Sequence, residues 1–175
     1  MSGPLRLRAP AGAHFVLASA SPRRLDLLAR IGLTPDAVSP ADIDETPKPR
    51  ELPDSYAERV AWEKAHAVAA SHPDAFILAA DTVVASGRRI LPKAETEAEA
   101  RTCLMHLSGR RHRVIGAIRL IAPGGETRCR IATTTVAFKR LTDMEIDSYI
   151  ASGEWDGKAG GYAIQGLAAI YIRML

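Results

Sequence analysis

Six consecutive apolar residues, 75–80 (AFILAA), run directly into Asp81 and Thr82. A run of that length reads as one fully buried strand, and such a strand needs a layered fold around it. An acid at the end of a core strand stands where α/β proteins place metal ligands and general bases, because the strand fixes it at the edge of a cleft. The alternative is an aspartate that caps a neighbouring turn. The position favours the first role.

The flanking sequence alternates between the two periods. Residues 14–18 (HFVLA) predict a second buried strand, and residues 25–31 (LDLLARI) a helix, with Ser21 at the N-cap and Pro22 at the first helical position. Proline and acid crowd residues 35–53, which predicts a loop with one short strand around Ala37 and Val38. Ser55 with Glu58 predicts a capping box and a helix to about Ser71. Ser86-Gly87 turns the chain into residues 88–91. Thr96 with Glu99 opens a third helix, with Ala100, Cys103, Leu104 and Leu107 as its apolar stripe and Ser108-Gly109 at its end. Strands are predicted over 113–122 and 127–138, joined at Pro123-Gly124-Gly125. Thr142 with Glu145 opens a last helix that Gly153 closes, and residues 167–172 predict a final apolar strand. This order predicts an α/β protein with a mixed sheet.

With 175 residues, 47% of them hydrophobic, the chain is long enough for one domain with its own core, spanning 1–175. A net charge of +3 suits a phosphate-bearing small molecule as well as a nucleic acid. Aromatic residues at 5% argue against a stacking surface for single-stranded nucleic acid. Cys103 and Cys129 have no C-x-x-C context and read as reduced thiols. Residues 5–20 have the order of a short signal peptide, but His14 interrupts the apolar run, which serves equally as a core strand. The segment is expected to be a strand. No stretch approaches the length of a membrane span, and the expected location is the cytoplasm.

Two arginines, Arg23 and Arg24, occupy the first turn of the first helix, where the dipole is already positive and cations are disfavoured. They make sense if an anion such as a polyphosphate sits there, since guanidinium groups match phosphate oxygens. Solvation, or pairing with acids elsewhere, explains them equally well. On the helix from Ser55, Lys64 falls within the apolar arc of Tyr56, Ala57, Val60, Ala61 and Val68, so it must snorkel or meet an anion. The acidic loop Asp42-Ile43-Asp44-Glu45 could hold a hard cation, although most such loops are simply solvated. The glycine-rich residues 157–166 (GKAGGYAIQG) match neither a Walker A loop nor a dinucleotide fingerprint; they suggest close backbone approach to a ligand or a tight turn. The five histidines show no zinc-ligand spacing.

Seven short motifs occur in order: LASASPRR (17–24), DIDET (42–46), EKA (63–65), AADTVV (79–84), ILPKAE (90–95), LSGRRHRV (107–114) and GKAGGYAIQG (157–166). Together they resemble the Maf family of nucleoside triphosphate pyrophosphatases, historically called septum formation inhibitors. The resemblance implies an elongated mixed sheet flanked by helices, with two lobes and a central cleft. It also implies cleavage of a nucleoside triphosphate between the α- and β-phosphates with Mg²⁺, or Mn²⁺ or Co²⁺ in its place. By the same resemblance Asp81 is the catalytic acid and a metal ligand, and Glu45 is the second metal-holding acid. Ser19, Arg23, Arg24, Lys64 and Lys93 bind the triphosphate. Arg23, Thr82 and Gln165 match the branch that prefers dTTP and UTP, where the 7-methyl-GTP branch has Trp, Gln and Glu. A glutamine amide supplies the donor and acceptor that a uracil or thymine edge requires.

The chain departs from the family in three places. Pro92-Lys93-Ala94 replaces G-K-P, and Gly116-Ala117 stands where Thr-Gly is expected, either because Gly replaces the Thr or because one residue is absent. The family segment G-S-x-x-N-V-x-G-L-P does not follow the last strand, which leaves open that a longer chain carries it. The expected partner is a nucleoside triphosphate, in a protein that does not engage a membrane or nucleic acid; a homodimer is compatible. The competing reading is a nucleotide- or nucleic-acid-binding regulator of cell division whose hydrolysis is vestigial.

Overall fold

Strand β1, His14–Ala18, is buried from Phe15 onward and pairs on both sides. The computed structural model describes residues 12–175; residues 5–11 of the signal-like segment lie outside the described residues. Helix α1, Pro22–Arg30, starts where Ser21 and Pro22 predict. Strand β2 is the two-residue Ala37–Val38. Helix α2, Pro53–Ala69, begins two residues before Ser55, with the Tyr56 amide donating to the Leu52 carbonyl. Ser55 therefore lies inside the first turn rather than at the N-cap, because proline at a first helical position needs no N–H partner.

Strand β3 is Ala75–Ser86, twice as long as the apolar run that announces it. It continues through Asp81 because Thr82, Val83 and Val84 are β-branched and favour the pleat, and because Val84, Ala85 and Ser86 pair antiparallel with β4, Arg89–Leu91. Strand β5, Lys93–Ala94, precedes helix α3, Glu97–Leu107. Strands β6, Arg111–Ile121, and β7, Thr127–Phe138, follow. Helix α4, Asp143–Ala151, leads to β8, Lys158–Ala159. Residues Leu167–Tyr171 form a 3₁₀ helix, and only Ile172–Met174 are a strand, β9. The predicted strand over 167–172 is thus mostly helical. Glu154 explains it: its carboxylate accepts the Leu167 N–H at 2.7 Å and holds the 3₁₀ start. Both predicted capping boxes at Thr96 and Thr142 are present.

The main sheet has the order β2-β1-β3-β6-β7-β9, with β4 also on β3; β5 and β8 form a separate pair. Strands β1 and β2, and β1 and β3, are parallel, whereas β3–β4 and β7–β9 are antiparallel, so the sheet is mixed. The chain divides into two compact units. The first comprises residues 12–46, 58–81 and 117–131 of the described chain, and its core includes Val16, Ala18, Ala65, Val68, Ile77 and Ala79. The second comprises residues 47–57, 82–116 and 132–175, around Leu104, Leu107, Val136, Phe138, Ile146 and Tyr149. Among the described residues no helix is long and apolar enough to cross a membrane. Both cysteines are free thiols.

Candidate functional site

Parallel pairing between β1 and β3 runs from His14 opposite Ala75 to Ala18 opposite Ala79 and then stops. Beyond that point the chain of β1 turns away at Ser19, while β3 carries on to Asp81. The acid therefore sits mid-strand and not at the strand's end as its sequence context predicts. What ends beside it is the neighbouring strand, and the space past a carboxyl-terminal strand end is where open α/β sheets admit ligands. Alternation along β3 turns Asp81 inward, 3% exposed, and leaves Thr82 exposed on the other face.

Lys64 fills the space next to Asp81. It is 7% exposed on the inner face of α2, as its place in the apolar arc predicts. Its Nζ donates to Asp81 Oδ1 at 3.0 Å and lies 2.9 Å from Glu45 Oε1. A buried ammonium is costly unless it is paired, and here two carboxylates converge on one cation. Glu45 comes from the loop between β2 and α2, so loop, helix and strand each contribute one charge.

The turn after β1 adds the fourth charge. Ser19 Oγ, buried, accepts from Arg24 Nη1 at 2.6 Å and from the Ser21 N–H at 3.2 Å. Two lone pairs are then used and the hydroxyl proton remains to donate. Burial pulls the Arg24 guanidinium below its ordinary pKa, while the charges of Asp81 and Glu45 hold it up; Arg23 adds to the lowering. Arg24 thus feels the negative charge of Asp81 and Glu45 within the protein. Arg23 is exposed and makes no ion pair among the described residues. Ser21 occupies the N-cap position, but its side chain makes no capping bond, and the first turn contains no acid. An uncapped first turn flanked by arginines keeps the anion-attracting character of a helix start.

Ser19, Arg24, Glu45, Lys64 and Asp81 are therefore gathered within the first unit. Lys93, Thr82 and Gln165 belong to the second unit, and all three are exposed. There Lys93 pairs with Ala159, and the Gly160 and Gly157 amides donate to the Pro92 and Ala94 carbonyls at 2.9 and 2.8 Å. The lysine motif and the glycine-rich segment are thus hydrogen-bonded to each other. Gly160, at φ +68°, lies against Val84 so closely that a Cβ would meet its Cγ1 at 2.8 Å. Ala94, in place of the expected proline, is fully buried.

Tyr162 of the same segment is anchored by a residue to which the sequence assigns no role. His112, 2% exposed, approaches the Tyr162 hydroxyl through Nε2 at 2.7 Å and packs edge-on against Phe138 and Tyr162. Burial lowers its pKa to about 4, so the imidazole is neutral at pH 7. No spacing rule would have found this pair, fifty residues apart.

No group of three or more His, Cys, Asp or Glu side chains forms a cation cage among the described residues. Glu45 and Asp81 are nonetheless hard oxygen donors converging on one point. Two carboxylates, with the remaining ligands from water and phosphate oxygens, are what Mg²⁺ ordinarily takes. The residues present fit a divalent cation bound together with a polyphosphate.

The family model described as Maf-like protein matches residues 14–175. A protein of Paramagnetospirillum magneticum named dTTP/UTP pyrophosphatase is 66% identical over 161 residues, covering 92% of this chain and 85% of that one. A protein of Rhodospirillum rubrum with the same name is 65% identical over 161 residues, covering 92% and 77%. Among solved structures, the Staphylococcus aureus Ham1 protein matches with a TM-score of 0.52 at 20% identity over 71% of each chain, a likeness of fold.

Proposed function

The chain belongs to the Maf-like protein family, and from that premise we propose that it hydrolyses dTTP and UTP to the monophosphate and pyrophosphate, clearing nucleotide pools of these and related modified pyrimidine nucleotides. The observation that carries the reading is the contact of one buried lysine, Lys64, with both Glu45 and Asp81, beside Arg24 and Ser19. This is an acid pair held in a cationic surround, as phosphoanhydride hydrolysis requires.

Water adds across the α–β phosphoanhydride, and the leaving group is pyrophosphate. Charge spreads over phosphate oxygens in this step, so positioning and cationic stabilisation supply most of the rate. Asp81 accepts from Lys64 through Oδ1, and its second carboxylate oxygen takes the proton from the attacking water. Glu45 and Asp81 would hold a divalent cation, Mg²⁺ by preference, which on binding neutralises phosphate charge and activates water. Arg24 and the Ser19 hydroxyl donate to phosphate oxygens, as does Arg23 from its exposed position. Lys93 adds a further cation for the triphosphate, and Arg23, Thr82 and Gln165 set the preference for a pyrimidine base. The expected setting is the cytoplasm.

The test is pyrophosphate release from a panel of nucleoside triphosphates with and without Mg²⁺. Release from dTTP and UTP is expected, with a loss of about 10³-fold or more in Asp81→Asn at unchanged circular dichroism. A folded wild-type protein that released pyrophosphate from no pyrimidine triphosphate would sink the proposal.

A further inference from the structure

Glu45 stands in a stretch of irregular backbone, residues 39–52, and a carboxylate on a loop must be held in place before it can serve as a precise ligand. Two contacts close the backbone around it. Asp44 Oδ1 accepts the Thr46 N–H at 2.8 Å, bridging over Glu45 in an Asx turn. Arg59, on α2, donates through Nη2 to the Thr46 carbonyl at 3.1 Å. The other arm of the same guanidinium, Nη1, donates to Glu63 Oε2 at 2.9 Å, one helical turn on. The Arg59 and Glu63 side chains are 15% and 28% exposed, so the fork is partly shielded from water. Glu63 immediately precedes Lys64. Helix α2 therefore grips the loop twice, at the Glu45 carboxylate through Lys64 and at the Thr46 carbonyl through Arg59.

We propose that Arg59 and Glu63 are positioning residues that lock the Glu45 loop in its cation-binding conformation. The inference rests on the reading of Glu45 as a metal ligand. Glu63 orients the planar fork, and the fork fixes the peptide that follows Glu45. Glu63 belongs to the EKA segment, and neither it nor Arg59 touches the reacting atoms. Residues that orient metal-binding side chains typically change metal affinity by about 10- to 100-fold when removed.

The experiment measures Mn²⁺ binding by the loss of the free-ion electron paramagnetic resonance signal, hydrogen exchange of the peptide covering residues 42–48, and steady-state kinetics with dTTP. It uses the whole chain and the variants Arg59→Ala, Arg59→Lys, Glu63→Gln and Glu45→Gln. For Arg59→Ala, Mn²⁺ affinity is expected to fall about tenfold, with faster exchange at Thr46 and a KM for dTTP at saturating cation within about twofold of wild type. Arg59→Lys, which keeps a single donor nitrogen, should fall between, and Glu63→Gln should show a smaller loss in the same direction. Unchanged exchange in a folded Arg59→Ala protein overturns the proposal outright. Faster exchange with unchanged Mn²⁺ affinity, while Glu45→Gln loses affinity, overturns the positioning role and leaves Glu45 as a ligand. If Glu45→Gln also keeps wild-type affinity, the reading of Glu45 fails and the proposal falls with it.

Discussion

At the scale of single residues, Lys64 determines the character of the site. Its ammonium is buried with two carboxylates, so its removal leaves Asp81 charged, desolvated and facing Glu45. Breaking a buried ion pair from one side costs roughly 3–5 kcal/mol, more than the intact pair contributes in comparison with an apolar substitute. Lys64→Met should therefore lower the free energy of unfolding at pH 7 by about 3 kcal/mol, measured by urea titration. A variant with the wild-type midpoint at pH 7 would show that the ammonium contributes nothing net. The position of Lys64 was legible from helical periodicity alone, since a lysine on an inner face has few other solutions. Its two partners were not, because they arrive from a loop and a strand.

At the scale of elements, local chemistry set most boundaries. The boxes at Thr96 and Thr142 are closed in both directions, with each hydroxyl accepting from the third residue's N–H and that residue's carboxylate accepting in return. Lys139 adds a contact to the Glu145 carboxylate, whose pKa is lowered chiefly by that bond. Thr142→Ala should cost about 1 kcal/mol of stability, with α4 showing the largest rise in amide exchange. Equal changes across all helices would contradict a local cap. Elements depart from the local signal where a distant contact outweighs it. Pairing with β4 extends β3 beyond Ala80, and Glu154 turns residues 167–171 into a 3₁₀ helix instead of a strand.

At the scale of the whole molecule, stability should depend on pH through His112. Its folded pKa of about 4 lies below the ordinary 6.5, so between these values the unfolded chain binds the proton that the folded chain refuses. The contribution is fully present above pH 6.5 and is lost as the pH falls towards 4, about 2 kcal/mol of it between pH 7 and pH 5. In His112→Phe the unfolding free energy should be lower at pH 7, because the Tyr162 hydroxyl loses its partner, yet flatter between pH 7 and pH 5 than that of the wild type. Parallel pH profiles would remove the histidine from the account. Local sequence suffices for the α/β class, the order of most elements, the helix caps and the inward lysine, because periodicity and capping act over a few residues. It also carries the family, through seven motifs in fixed order, in agreement with the family model that matches residues 14–175. Only long-range packing makes β1 stop beside a continuing β3, lets Glu45 and Asp81 share one ammonium, and sets His112 against Tyr162. Each of these joins residues far apart along the chain, where Coulomb attraction and desolvation act through space and leave no period in the sequence.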